Sequence, residues 1–125
     1  MRYRKLGRTG LLVSEICLGT MTFGGSGGIW GAIGSLAQDD VNTLVETAFA
    51  KGVNFFDTAN VYADGLSEIL LGRAIEDLGL RRDEIVVATK VLARVMDVVP
   101  ESASAAEKAE AERRNSARNV NGLSR

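Results

Sequence analysis

Asp57, Tyr62 and Lys90 are the residues of this chain whose chemistry would work together. A phenol is a weak acid, with a pKa of about 10 in water. An ammonium group beside it favours the phenolate, and a carboxylate beside the ammonium keeps that group charged and oriented. The combination is a general acid able to protonate a carbonyl oxygen while hydride arrives at the carbon. Each residue taken singly also has a bland use. Asp57 can cap a turn, Tyr62 can pack, and Lys90 can end a strand in solvent. What makes them a set is position, because each stands at or just beyond the end of an apolar run that reads as a buried strand.

Those runs are Val53-Asn-Phe-Phe-Asp57 and Ile85-Val-Val-Ala-Thr-Lys90, with an earlier one, Glu15-Ile-Cys-Leu-Gly-Thr20, ending at Gly19-Thr20-Met21. Between them lie two helical periodicities. From Asp39 to Lys51 the apolar residues Val41, Leu44, Val45, Ala48 and Phe49 fall on one face, with Asp39 or Asp40 to cap the start and Gly52 to end it. A second helix starts near Ser67, buries Leu71, Ala74, Ile75 and Leu78, and stops at Gly79. Residues 2–14 read as a hairpin around Gly7-Arg8-Thr9-Gly10. The order strand, helix, strand, helix, strand predicts an α/β fold with a parallel sheet and crossover helices. In such folds the site lies at the carboxyl ends of the strands, which is where Asp57, Tyr62 and Lys90 fall.

Other features are weaker. The cluster Gly24-Gly25-Ser26-Gly27-Gly28 matches neither G-x-G-x-x-G nor G-x-x-x-x-G-K, so residues 24–34 read as a flexible loop rather than a phosphate cradle. Cys17, inside an apolar run, reads as a buried small hydrophobe. Residues 101–118 contain no apolar residue larger than Ala. Ala, Glu, Lys and Arg favour helix, but such a segment has nothing with which to build a core.

Composition closes several doors. The 125 residues carry 15 Lys plus Arg against 16 Asp plus Glu, a formal charge of -1, which argues against nucleic acid or an anionic membrane as partner. There is no His, so His-based zinc sites and Ser-His or Cys-His pairs are ruled out within this chain, and no metal is expected. One cysteine permits no internal disulfide and fits a reducing, cytoplasmic setting. The uncharged stretch from Ile16 to Gln38 holds seven glycines, unlike a membrane helix.

The segment Val53-Asn-Phe-Phe-Asp-Thr-Ala-Asn-Val-Tyr62, continuing through Gly65-Leu-Ser-Glu to Gly72-Arg-Ala-Ile75, resembles the aldo-keto reductase signature around its catalytic Asp and Tyr. Ile85 to Lys90 resembles the strand carrying the family's catalytic Lys, and Tyr3 to Gly24 its N-terminal hairpin and first barrel strand. The resemblance covers roughly residues 1–91. It implies a (β/α)8 TIM barrel, of which this chain holds the hairpin and the first three strands, NADP(H) as cofactor, and reduction of small aldehydes or ketones. It implies Tyr62 as general acid, Lys90 beside it and Asp57 paired with Lys90, with Gly19, Thr20, Met21 and Asp57 lining the nicotinamide end of the cleft. The same fold also serves as a cofactor-sensing, channel-associated subunit. The family's fourth catalytic residue, a histidine near the end of the fourth strand, has no counterpart here. A full barrel takes about 250 residues. In the subgroup resembled, Gly122-Leu-Ser-Arg125 leads into a further helix with Ser124 at its N-cap. The expectation is therefore a partial reductase domain over 1–125, with 93–121 as a polar loop insertion or disordered segment, inactive alone.

Overall fold

A computed structural model describes residues 1–91, 99 and 102–116. The chain opens with an antiparallel hairpin, β1 (Tyr3–Lys5) and β2 (Leu12–Ser14), in register Tyr3 opposite Ser14. β3 (Leu18–Gly19), β4 (Phe55–Asp57) and β5 (Val86–Ala88) then form a parallel sheet in chain order. The regular strands are shorter than the apolar runs that contain them. Single backbone bonds prolong the pairing, from Val86 N–H to the Asn54 carbonyl at 2.8 Å and from Thr58 N–H to the Ala88 carbonyl at 2.9 Å.

Alternation along the strands sorts the side chains into two layers. Leu18, Phe56, Ile85 and Val87 point to the crossover helices α2 (Gln38–Ala50) and α3 (Leu66–Asp77), where Val41, Val45, Leu70, Leu71 and Ala74 complete the core. Cys17, Gly19, Asp57 and Lys90 alternate onto the opposite face. Among the described residues that face is open, and Cys17 is exposed rather than buried as expected. The apolar run around it signals burial, but Cys17 is out of phase with its core-facing neighbour Leu18.

α2 and α3 end alike, which the glycines announced. Gly52 (φ 87°) and Gly79 (φ 62°) adopt left-handed backbone. The next residues reach back, Val53 N–H to the Ala48 carbonyl at 2.9 Å and Leu80 N–H to the Ile75 carbonyl at 3.0 Å, so both helices close in Schellman motifs. The start of α2 differs from expectation. Its N-cap is Ala37, with no side-chain cap, and Asp39 and Asp40 sit in the first turn, where their charge complements the positive end of the helix dipole. Leu44 stands off the buried stripe and is 41% exposed. The stretch 24–34 is not a plain loop, since α1 (Gly28–Ile33) forms one short helical segment there.

Beyond residue 91 the described chain contains α4 (Ala105–Ser116). Its start is a capping box: Ser104 N–H donates to Glu107 Oε2 at 2.8 Å, and Glu107 N–H to Ser104 Oγ at 3.3 Å. The S-x-x-E spacing was there to be read. The helix is exposed but for buried Ala111 and half-buried Asn115, in keeping with a segment short of core-forming residues. Of the 93–121 segment, residues 93–98, 100–101 and 117–121 lie outside the described residues, as does Gly122-Leu-Ser-Arg125.

Asn54 fastens the hairpin to the sheet. Its Oδ1 accepts from Ser14 N–H at 2.7 Å, its Nδ2 donates to the Leu12 carbonyl at 3.0 Å, and its own N–H donates to Ser14 Oγ at 3.2 Å. Asn54→Ala strands a donor and an acceptor of β2, and is expected to cost about 1–3 kcal/mol. Hydrogen exchange is the check: the Ser14 amide should exchange faster in the variant, and an unchanged rate would mean that other contacts hold the hairpin.

Candidate active site

At the carboxyl end of the parallel sheet, Asp57 closes β4 and Lys90 follows β5 by two residues. Backbone bonds carry the strand alignment past the regular ladder: Thr20 N–H to the Asp57 carbonyl at 2.9 Å, and Asn60 N–H to the Lys90 carbonyl at 3.1 Å. This brings Lys90 Nζ to 2.7 Å from Asp57 Oδ2 and 2.7 Å from the Thr58 carbonyl oxygen. The same ammonium lies 4.9 Å from the centroid of the Tyr62 ring. The residues expected to converge therefore do so. The Asp57 hydrogen bond raises the Lys90 pKa above the ordinary lysine value, partial burial opposes it, and Tyr62 adds to the rise. The ammonium is thus held charged at neutral pH.

Tyr62 opens a 3-10 turn, Tyr62–Gly65, through which the chain bends before α3. Ala63 (φ 49°) and Asp64 (φ 55°) are left-handed there without being glycine, and Gly65 follows at φ 93°. Such backbone is unfavourable for residues with a Cβ, and strain of this kind collects at functional sites. The Asp-Gly pair at 64–65 is the sequence sign of this turn.

The residues expected at the cofactor end divide by layer. Gly19 is exposed on the open face, and a Cβ added there would meet nothing within 4 Å. Met21 is 41% exposed. Thr20 is fully buried and turned the other way, its Oγ1 2.9 Å from Ser67 Oγ while Ser67 Oγ donates to its carbonyl at 2.7 Å. Thr20 thus joins β3 to α3, and its side chain is not available to a ligand. Glu68 makes a second joint, accepting from Thr89 Oγ1 at 2.6 Å. Sequence reasoning passed over Trp30, whose ring lies edge-to-face with Tyr62 at 6.3 Å between centroids. Its only sequence signal is that it is the sole tryptophan, set in a glycine run. Among the described residues no cluster of three or more metal-binding side chains occurs.

A hairpin followed by three parallel strands in chain order, crossover helices on one face and reactive groups at the carboxyl rim define the opening of a (β/α)8 barrel. A family model for the aldo/keto reductases matches residues 15–122, and the chain belongs to that family. The uncharacterised oxidoreductase YrpG of Bacillus subtilis is 39% identical over 104 residues, covering 78% of this chain and 28% of that protein. A rice protein named "Probable voltage-gated potassium channel subunit beta" is 41% identical over 92 residues, covering 73% of this chain and 25% of its own length. Among solved structures, the aldo-keto reductase AKR11C1 from Bacillus halodurans in holo form aligns at TM-score 0.60 and 29% identity, over 83% of this chain and 29% of that one. The glycerol dehydrogenase AKR11B4 from Gluconobacter oxydans aligns at TM-score 0.55 and 30% identity, over 80% of this chain and 28% of its own. The chain spans about a quarter of the length of the curated relatives it matches.

Proposed function

We propose that this chain supplies the proton-delivering rim of an oxidoreductase that reduces small aldehydes or ketones to alcohols with NADPH. The observation that carries this reading is the single ammonium of Lys90 placed against both the Asp57 carboxylate, at 2.7 Å, and the Tyr62 ring, at 4.9 Å. Tyr62 donates its phenolic proton to the carbonyl oxygen. The Lys90 ammonium stabilises the phenolate that remains, and Asp57 keeps the ammonium charged and aimed. The nicotinamide end of the cofactor fits the open face: Gly19 leaves a side-chain-free floor, Met21 and Asp57 flank it, and Thr20 contributes backbone only. When bound, the cofactor supplies the hydride that reaches the carbonyl carbon. The adenosine-phosphate contacts and the family's histidine belong to later strands by the resemblance, so the chain alone is read as inactive. A cytoplasmic setting is part of this reading; no described helix is long and apolar enough to cross a membrane.

The test is carbonyl-dependent oxidation of NADPH by this chain joined to the C-terminal part of YrpG. Lys90→Met should lower turnover severely while fluorescence titration shows cofactor binding retained. Asp57→Asn should be milder, because it acts through Lys90. Full turnover in Lys90→Met would remove this site from the reaction. A second reading, a cofactor-sensing binding module, is favoured by relatives in rice and Arabidopsis thaliana that carry channel-subunit names. It predicts cofactor binding and partner association with negligible carbonyl reduction.

A further inference from the structure

We infer that Trp30 is a positioning residue for Tyr62, and that the glycine-rich stretch after β3 is a rigid platform built to hold the indole against the phenol ring. A Cβ on Gly34 would stand 2.5 Å from the Thr22 carbonyl oxygen, and one on Gly25 would stand 2.5 Å from the Gly34 carbonyl oxygen and 2.7 Å from that of Trp30. Two passes of the chain, 22–25 and 30–34, are therefore stacked closer than a side chain allows. They are also bonded together: Gly24 N–H to the Leu36 carbonyl at 2.9 Å, and Leu36 N–H to the Thr22 carbonyl at 3.4 Å. These bonds tie the stretch at both ends, which sets it apart from a plain loop. The platform is anchored to the helix that follows Tyr62 as well, since a Cβ on Gly24 would meet Leu66 Cδ2 of α3 at 2.8 Å.

What this platform delivers is Trp30, partly buried, with its ring at 67° to that of Tyr62. Edge-to-face pairs depend on ring orientation, as does an ammonium set near a ring face. The phenol is thus fixed by two directional contacts, with Trp30 and with Lys90, and its backbone leaves through the left-handed turn at Ala63 and Asp64. A proton donor must point at one place, and these contacts restrict where it points. The inference rests on Tyr62 being the proton donor.

The test uses the 125-residue chain and nuclear magnetic resonance with labelled tyrosine. The chain has two tyrosines, so Tyr3 in the hairpin serves as an internal reference. In the unaltered chain the Tyr62 ring should show Overhauser contacts to both the Trp30 indole and the Lys90 side chain. Trp30→Ala should shift the Tyr62 ring resonances and erase its contacts to Lys90, while Trp30→Phe retains them and Tyr3 stays unmoved in both. Should Trp30→Ala also displace the Tyr3 signals, showing general unfolding, Trp30→Leu takes its place. Leu keeps apolar volume without a ring, and must lose the same contacts. Persistence of the Tyr62–Lys90 contacts in Trp30→Ala or Trp30→Leu overturns the inference, as does their loss in Trp30→Phe. This readout does not depend on turnover. Normal activity in Tyr62→Phe would undo the reading of Tyr62 as donor and leave the spectroscopic result standing.

Discussion

Tyr62→Phe, made in this chain joined to the C-terminal part of a full-length relative, is expected to lower carbonyl reduction by about 10²–10⁴-fold, the range that general acid catalysis supplies. The substitution removes one oxygen and keeps the ring. The edge-to-face contact with Trp30 and the Lys90 ammonium above the ring survive it. Cofactor affinity should therefore stay near normal, and the loss should fall on turnover rather than on binding. Steady-state reduction of a simple aldehyde, paired with cofactor fluorescence titration, separates the two. Near-normal turnover in the variant would remove Tyr62 from the role of proton donor.

The second large effect is on stability. Phe56 is fully buried at the centre of the sheet, pairing with Leu18 on one side and Val87 on the other, and its side chain enters the core formed with α2 and α3. Phe56→Ala is expected to destabilise by about 3–5 kcal/mol, the cost of losing a large buried ring and leaving a cavity. That is a large part of the roughly 5–15 kcal/mol that holds a typical domain together. Phe55, one residue earlier, is only half-buried and alternates onto the open face, so Phe55→Ala should cost clearly less. Urea denaturation of the two variants side by side is decisive, because equal losses would mean that the two faces of the sheet are equally packed.

The contrast between Phe55 and Phe56 illustrates how far the sequence could be read. Helix periods, the two terminating glycines and the order of apolar runs were sufficient for the parallel sheet and for the rim that gathers Asp57, Tyr62 and Lys90. Which face of a strand is buried was harder. A run such as Ile-Cys-Leu-Gly has no polar alternation to mark phase, so Cys17 looked internal, and Thr20 looked available although it is locked to Ser67. The stretch 24–34 departs from the expected loop for a different reason. Glycine signals backbone freedom in a sequence, yet here Gly25 and Gly34 serve close approach of two neighbouring passes of the chain, which no local pattern of residue types marks. Trp30 could not be placed near Tyr62 without that packing.

The parallel sheet pairs only neighbours in chain order, β3 with β4 and β4 with β5, and α2 packs on α3. Every partner that Lys90 needs is therefore already made when Lys90 is. At synthesis rates of roughly 5–20 residues per second, the first ninety residues take roughly 5–18 s to be made, and each strand of the sheet follows its pairing partner in the chain. The hairpin, clasped through Asn54, and the Asp57–Lys90 pair require nothing translated later. The rim that gathers Asp57, Tyr62 and Lys90 thus rests on contacts made in chain order, and vectorial assembly can complete it once those residues have left the ribosome.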